Sequence, residues 1–252
     1  MNLTKTLGVA CASALVAGLA LASDATTELA GTVAGTITFD GDLPKIKPLS
    51  ISAEAAKGCC AEGQSVDDTD MTLLVAKDSK GIANVVVALT VEGHEMKLPE
   101  APVVVDQQKC RFTPHITVVH EGTEVAFRNS DSVPHNIHTY PVKNPGINIT
   151  VAAGKDTKQT LKSAEPVKVG CDIHPWMGGY VYVTKATHWT TTAADGSFSI
   201  AGVPPGEYKL EIWHEKLGKG KGTATVKPDG SCAAVEIKMG EKKKGRGRGR
   251  GR

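Results

Sequence analysis

The chain has 252 residues, 40% hydrophobic and 22% charged, with a formal net charge of +2. That length suits one large domain or two small ones, and the composition supplies a packed core, which excludes disorder as the default. Only 4% of residues are aromatic, while 27 glycines and 13 prolines promise many turns.

Residues 1–22 read as an export leader. Lys5 gives a positive start, Leu7 to Ala22 is uncharged and apolar, and Ala20-Leu21-Ala22 forms an A-x-A-like cleavage site. The apolar run is shorter than the roughly 20 residues of a membrane span. The expectation is a periplasmic or secreted protein with no membrane span. Export permits disulfides. Beyond the leader stand Cys59, Cys60, Cys110, Cys171 and Cys232, an odd number that leaves one thiol over. With Cys171 set aside, the other four suffice for two bridges, one of them joining Cys110 to Cys59 or Cys60.

Apolar residues then alternate at strand period. Val33, Ile37 and Phe39 do so first, followed by Val85, Val87, Leu89 and Val91, then Val125 and Phe127. Val167 and Val169 put Cys171 on their own face. Tyr208, Leu210 and Ile212 alternate with Glu207, Lys209 and Glu211, and Val235, Ile237 and Met239 with Glu236 and Lys238. Turns at Asp40-Gly41, Asp195-Gly196, Pro204-Pro205-Gly206 and Asp229-Gly230 separate the runs. One short helix is predicted, Ala53 to Lys57, between Ser52 and Gly58. Many short strands with Gly/Pro turns predict an all-β fold of sandwiches. The closing EKKKGRGRGRGR carries a net +6, leaving −4 on the rest. A segment with nothing to bury reads as a disordered tail (241–252). On an exported protein, its partners would be anionic envelope polymers or an acidic protein rather than nucleic acid.

Two stretches carry chemistry, DSVPHNIHTY (131–140) and VGCDIHPWMGGYVYV (169–183). An electron-transfer copper site needs one thiolate and two imidazoles in a plane, with a weak axial thioether. Cys171, His174 and Met177 offer three such donors on one tight loop, and His135 offers the second imidazole from another strand end. A disulfide beside a histidine explains C-x2-H alone, and zinc binds Cys and His too, but a Met donor favours copper. A binuclear centre would need a second loop cysteine.

These stretches resemble the two ligand segments of cupredoxins, the blue-copper proteins, and the C-x2-H-x2-M spacing resembles their amicyanin and plastocyanin type. The similarity extends over residues 102–185, including FTPHITVVHEGTEV. It implies a Greek-key sandwich, one type 1 copper, His135, Cys171 and His174 as equatorial ligands, Met177 as axial ligand, and Asn136 bracing the Cys loop. It also implies an electron-transfer edge at His174, with Pro175 and Trp176 around it. The chain departs from the pattern in Gly170, Asp172 and Ile173 around the cysteine, and in Cys110. His138 is expected at the surface or beside the site. His115 and His120 are expected in packing or exposed positions, with an accessory metal site as the alternative. His94 and His188 read as exposed and His214 as structural.

Residues 190–218, with DGSFSI and GVPPGEYKL, resemble the carboxypeptidase regulatory-like, transthyretin-like β-sandwich family. That implies one sandwich from residues 30–100 and 186–240 with the cupredoxin inserted. The alternative is an N-terminal extension plus a separate small β-domain.

The functional expectation is a carrier of single electrons, not an enzyme. Copper oxidases and nitrite reductases place a histidine beside the cysteine, where this chain has Gly170 and Asp172, and a full ligand set leaves no open position. No C-x-x-C-H is present, so no haem is attached. Expected partners are a c-type cytochrome or an exported oxidoreductase. Copper buffering or delivery, and a structural envelope role with an idle site, are the alternatives.

Overall fold

The computed structural model describes residues 29–60 and 64–241. The leader and the Gly-Arg tail lie outside the described residues. Two strands open the chain, β1 (Gly31–Phe39) and β2 (Val86–Leu89). Nine follow: β3 (Val103–Gln108), β4 (Arg111–Thr113), β5 (Ile116–His120), β6 (Glu124–Asn129), β7 (His135–Tyr140), β8 (Asn148–Val151), β9 (Asp156–Thr160), β10 (Glu165–Gly170) and β11 (Gly178–Thr184). Five close it: β12 (His188–Thr191), β13 (Ser197–Val203), β14 (Gly206–His214), β15 (Gly218–Val226) and β16 (Val235–Met239). Among the described residues there is no α-helix, and so none long and apolar enough to cross a membrane.

The middle strands form two sheets, ordered β4-β3-β6-β9 and β5-β11-β10-β7-β8. β3 runs parallel to β6 and β5 parallel to β11, so the chain crosses between sheets in Greek-key fashion. Val105, Phe127, Ile137, Leu161, Val167 and Val181 fill the space between them. The first and last strands build a second sandwich, β13-β1-β16 against β12-β2-β14-β15. β1 lies between two strands that follow the middle sheets in the chain, antiparallel to β13 and parallel to β16. Val33, Ile37, Val87, Leu89, Ile200 and Ile237 share its core.

β2 departs from the half-buried strand its alternation predicts. Val86 and Ala88 are buried as well as Val85, Val87 and Leu89. The reason is a third, small core at the junction of the sandwiches, where Val86 meets Ile116 and Trp213. The rings of Tyr180 and Tyr182 each lie 5.1 Å from that of Trp213.

The connection from β1 to β2 also departs from expectation. Ile46, Leu73 and Val75 pack in the outer core, but Ile51, Ala56, Cys59, Cys60 and Val66 pack against the inner one. The predicted helix at 53–57 is a run of turns. Ser52 Oγ accepts from the Ala55 N–H at 3.2 Å and the Ser52 carbonyl from the Ala56 N–H at 3.0 Å, after which Gly58 turns left-handed (φ +82°). Cys59 is then bonded to Cys110. Among the described residues that is a single bridge where four cysteines would have sufficed for two; Cys60 and Cys232 are free.

Candidate metal centre

His135 opens β7 and is wholly buried. Its Nε2 donates to Asp131 Oδ2 at 2.9 Å. The Asp131 carboxylate also accepts the N–H groups of Lys109 (2.6 Å) and Cys110 (2.8 Å), both at left-handed positions of the β3–β4 turn. One carboxylate thus ties a hairpin turn to the ring and leaves Nδ1 facing inward. A partner on the second nitrogen is the usual way a metal-binding histidine is oriented.

Cys171 follows β10 and Met177 precedes β11, two strands paired Gly170 to Gly178, so the loop between them is a hairpin connection. The Met177 N–H donates to the His174 carbonyl at 2.9 Å, which tightens it. The loop brings His174 Nδ1 to 2.9 Å from His135 Nδ1 and 3.7 Å from Cys171 Sγ. A metal bonded to N at about 2.0 Å and S at about 2.3 Å could span the 3.7 Å between those two donors. Cys171, His174 and Met177 are 4%, 5% and 2% exposed. Met177 packs in the same core as Cys171.

The electrostatics suit a cation. Burial would raise the Cys171 thiol, but hydrogen bonding from His135 and nearby backbone N–H groups brings it below its ordinary range. Burial would lower His135, but Cys171 and Asp131 outweigh it and raise this ring. Burial and the neighbouring His135 hold His174 down. The surroundings thus favour the thiolate form of Cys171, the charged form of His135 and the neutral form of His174. Cys171, His135 and His174 would hold a metal ion through these donor atoms, for which it would compete with protons.

Asn136 braces the loop. Its Oδ1 accepts from the Asp172 N–H at 2.5 Å, and its Nδ2 donates to Asn148 at 2.6 Å and to the Asp172 carboxylate at 3.1 Å. Asp172 also meets His138 Nδ1 at 3.0 Å and Asn148 Nδ2 at 2.9 Å, and these bonds lower its carboxyl. His138 is partly exposed, as its place in the strand predicts.

His174 does not reach the protein edge. Pro175 is exposed and Trp176 half-buried, but the His174 ring is closed off by the Cys59–Cys110 bridge, whose sulfurs lie within 4.8 Å of its nitrogen. Trp176 Nε1 donates to the Cys110 carbonyl at 3.1 Å and its ring lies 5.1 Å from that of His174. The turns of residues 52–60 rest on the loop before His135. Ser132 Oγ donates to the Gly58 carbonyl at 3.4 Å, and a Cβ on Gly58 would come within 2.5 Å of Val133. Sequence reasoning missed this cover and Asp131; an acid four residues ahead of a candidate ligand was the available sign of the latter.

His115, expected in a packing or exposed position, is buried; its Nδ1 donates to the Gly178 carbonyl at 3.1 Å while Nε2 contacts Glu215 of the second sandwich. His214 is structural. Its Nδ1 accepts from the N–H groups of Lys216 and Leu217 at 3.3 Å, and burial, with His115 and Lys216 nearby, pushes it down to about 4. A hollow of about 720 Å³ opens beside the loop, with Tyr140, Lys168, Cys171, Asp172, Trp176 and Met177 in its wall.

A family profile described as "Polysaccharide lyase family 4, domain II" matches residues 169–235, which run from the end of β10 into β16. No curated protein matches the chain significantly. Among solved structures, the chain is similar to a purple cupredoxin from Nitrosopumilus maritimus, 26% identical, covering 32% of this chain and 99% of that one, TM-score 0.29. An amicyanin variant in its Cu(I) form is 20% identical over 39% of this chain and 98% of that one, TM-score 0.31. The copper-containing nitrite reductase of Thermus scotoductus SA-01 is 23% identical over 38% of this chain, TM-score 0.32, and the match spans a quarter of that enzyme's length (25%).

Proposed function

We propose that the chain is an exported carrier of single electrons, holding one type 1 copper ion between His135, Cys171, His174 and Met177. The observation that carries this reading is the buried convergence of His135 Nδ1, His174 Nδ1 and Cys171 Sγ. One thiolate and two imidazoles near a thioether make the donor set of an electron-transfer copper site. Copper bound there supplies one electron per change of oxidation state. The chain's own residues do the rest. The sheets fix His135 and Cys171 at strand ends, Asp131 fixes the first ring, Asn136 fixes the loop, and burial excludes water. Four donors leave no place for a substrate, which supports a carrier over an enzyme. In this reading residues 102–185 form the metal-bearing domain, inserted between residues 30–100 and 186–240, and the partner is a c-type cytochrome or an exported oxidoreductase. The burial of all four side chains favours retention of copper over buffering or delivery.

The visible spectrum of the purified protein with added Cu(II) tests the reading. It should show a thiolate-to-copper charge-transfer band that Cys171→Ser abolishes. A copper-loaded wild type without such a band overturns the assignment, and transfer of copper to a chelator within seconds would favour delivery.

A further inference from the structure

All four donors are buried, and three of them are backed by other parts of the protein. Behind His174 lie the Cys59–Cys110 sulfurs and Trp176. Behind His135 lies Asp131, bound to the β3–β4 turn. Met177 is 2% exposed within the inner core. Cys171 is different, because the residues on either side of it, Gly170 and Asp172, both contact a pair of surface rings. On one side is Asp172, whose carboxylate meets His138 Nδ1 at 3.0 Å. On the other is Gly170, paired with His138 across the β7–β10 ladder. A Cβ on Gly170 would lie 3.5 Å from the Tyr140 ring, so that ring rests on the backbone just before the thiolate. The His138 and Tyr140 rings stack at 4.1 Å, and the Tyr140 hydroxyl meets His138 Nδ1 at 2.9 Å. Tyr140 is 46% exposed, Ile173 on the ligand loop is 49% exposed, and Lys168 Nζ sits 5.8 Å above the Tyr140 ring. The hollow beside the loop runs from Tyr140 and Lys168 to Cys171 itself.

We infer that electrons enter and leave through the His138–Tyr140 ring pair, coupled to Cys171 through Asp172 and Gly170, and that His174, beneath its disulfide-anchored cover, is not the contact point. The inference rests on the copper reading above and names the surface that reading needs. The partner it fits is a one-electron redox protein making a small, brief contact, with an apolar rim at Tyr140 and Ile173 and a cation at Lys168. Such encounters need only small interfaces.

Two measurements on the full chain test this. The first needs no metal. Diethylpyrocarbonate, which acylates accessible imidazoles, is applied to the metal-free protein and the modified peptides are mapped by mass. His138 should be labelled and His174 spared, with His174 becoming reactive in a Cys59→Ser/Cys110→Ser variant. Labelling of His174 as fast as His138 in the wild type would overturn the closed edge. The second follows oxidation of the reduced, copper-loaded protein by hexacyanoferrate(III) in stopped flow. Tyr140→Ala and His138→Ala should each slow the second-order rate by about tenfold, within the spread of association rates seen among mutants of one interface, with the visible band unmoved. An unchanged rate in both variants overturns the inference and leaves the copper reading standing. A wild type with no visible band removes the copper reading, and the electron route with it.

Discussion

Asp131 stands four residues ahead of His135 and holds its Nε2 at 2.9 Å, while its two carboxylate oxygens also hold the backbone N–H groups of Lys109 and Cys110. The ring is therefore oriented by the same group that pins the turn carrying the disulfide. Asp131→Ala should free both. Outer partners of this kind typically contribute about 10–100-fold in metal affinity. Competition against a copper chelator should show a loss in that range, and unchanged affinity would show that the strand end alone sets the ring.

The Cys59–Cys110 bridge spans 51 residues of sequence and anchors the cover over His174. Closing a loop of that length restricts the unfolded chain by about 4 kcal/mol on the chain-entropy account. Cys59→Ser/Cys110→Ser should lower the denaturation midpoint markedly and speed copper loss to a chelator. Equal rates of copper loss in variant and wild type would mean that the turns of residues 52–60 stay in place without the bridge.

The ligand loop was legible because it is local: C-x2-H-x2-M sits between Val169 and Tyr180 in strands whose alternation is plain. His135 was legible because it follows a strand and a proline bend. The cover was not, because its placement depends on contacts between residues far apart in sequence, Gly58 with Val133 and Cys59 with Cys110. β15 escaped for a different reason. Its GKGKG opening puts glycines where alternation looks for apolar side chains. Gly222 is small because a Cβ there would come within 2.7 Å of Ile237 Cδ1, and Gly220 lies similarly under Ile212. The apolar volume comes from the neighbouring elements. β2 was found, but its second buried face depends on Trp213, supplied by a strand more than a hundred residues on.

Glu165 gives the fold a defined acid sensitivity. It is 8% exposed, and its carboxylate accepts the N–H groups of Val142, Lys143 and Asn144 at 2.8–3.0 Å and Asn144 Nδ2 at 2.7 Å. Burial would raise its pKa, but these bonds outweigh burial and lower it. A carboxyl depressed on folding stabilises the protein above its unfolded value, about 4.3, and loses that contribution as pH falls through the folded value. Glu165→Gln should therefore cost about 2 kcal/mol at neutral pH. The gap from wild type should close in acid, below pH about 4. Denaturant titrations at neutral and acid pH check the sign. A gap that stays constant would place the cost in packing.

The last relationship joins the two sandwiches at the residue after Met177. Glu215 follows β14, and its carboxylate contacts His115 Nε2, while His115 Nδ1 donates to the carbonyl of Gly178, the residue after Met177. The His115 carbonyl accepts the Tyr180 N–H at 2.9 Å. A Cβ on Gly179 would come within 2.7 Å of that carbonyl, so the start of β11 is clamped from both sides. Met177→Leu removes a weak thioether donor, so copper and colour should remain and the midpoint potential should rise. Glu215→Ala should release His115, loosen the end of the loop and move the potential in the same direction by a smaller amount. Glu215→Gln, which keeps a hydrogen-bonding group, should move it less. Voltammetry of the three variants against wild type ranks these shifts. If Glu215→Ala lowers thermal stability and leaves the potential in place, the contact joins the sandwiches without reaching the metal centre.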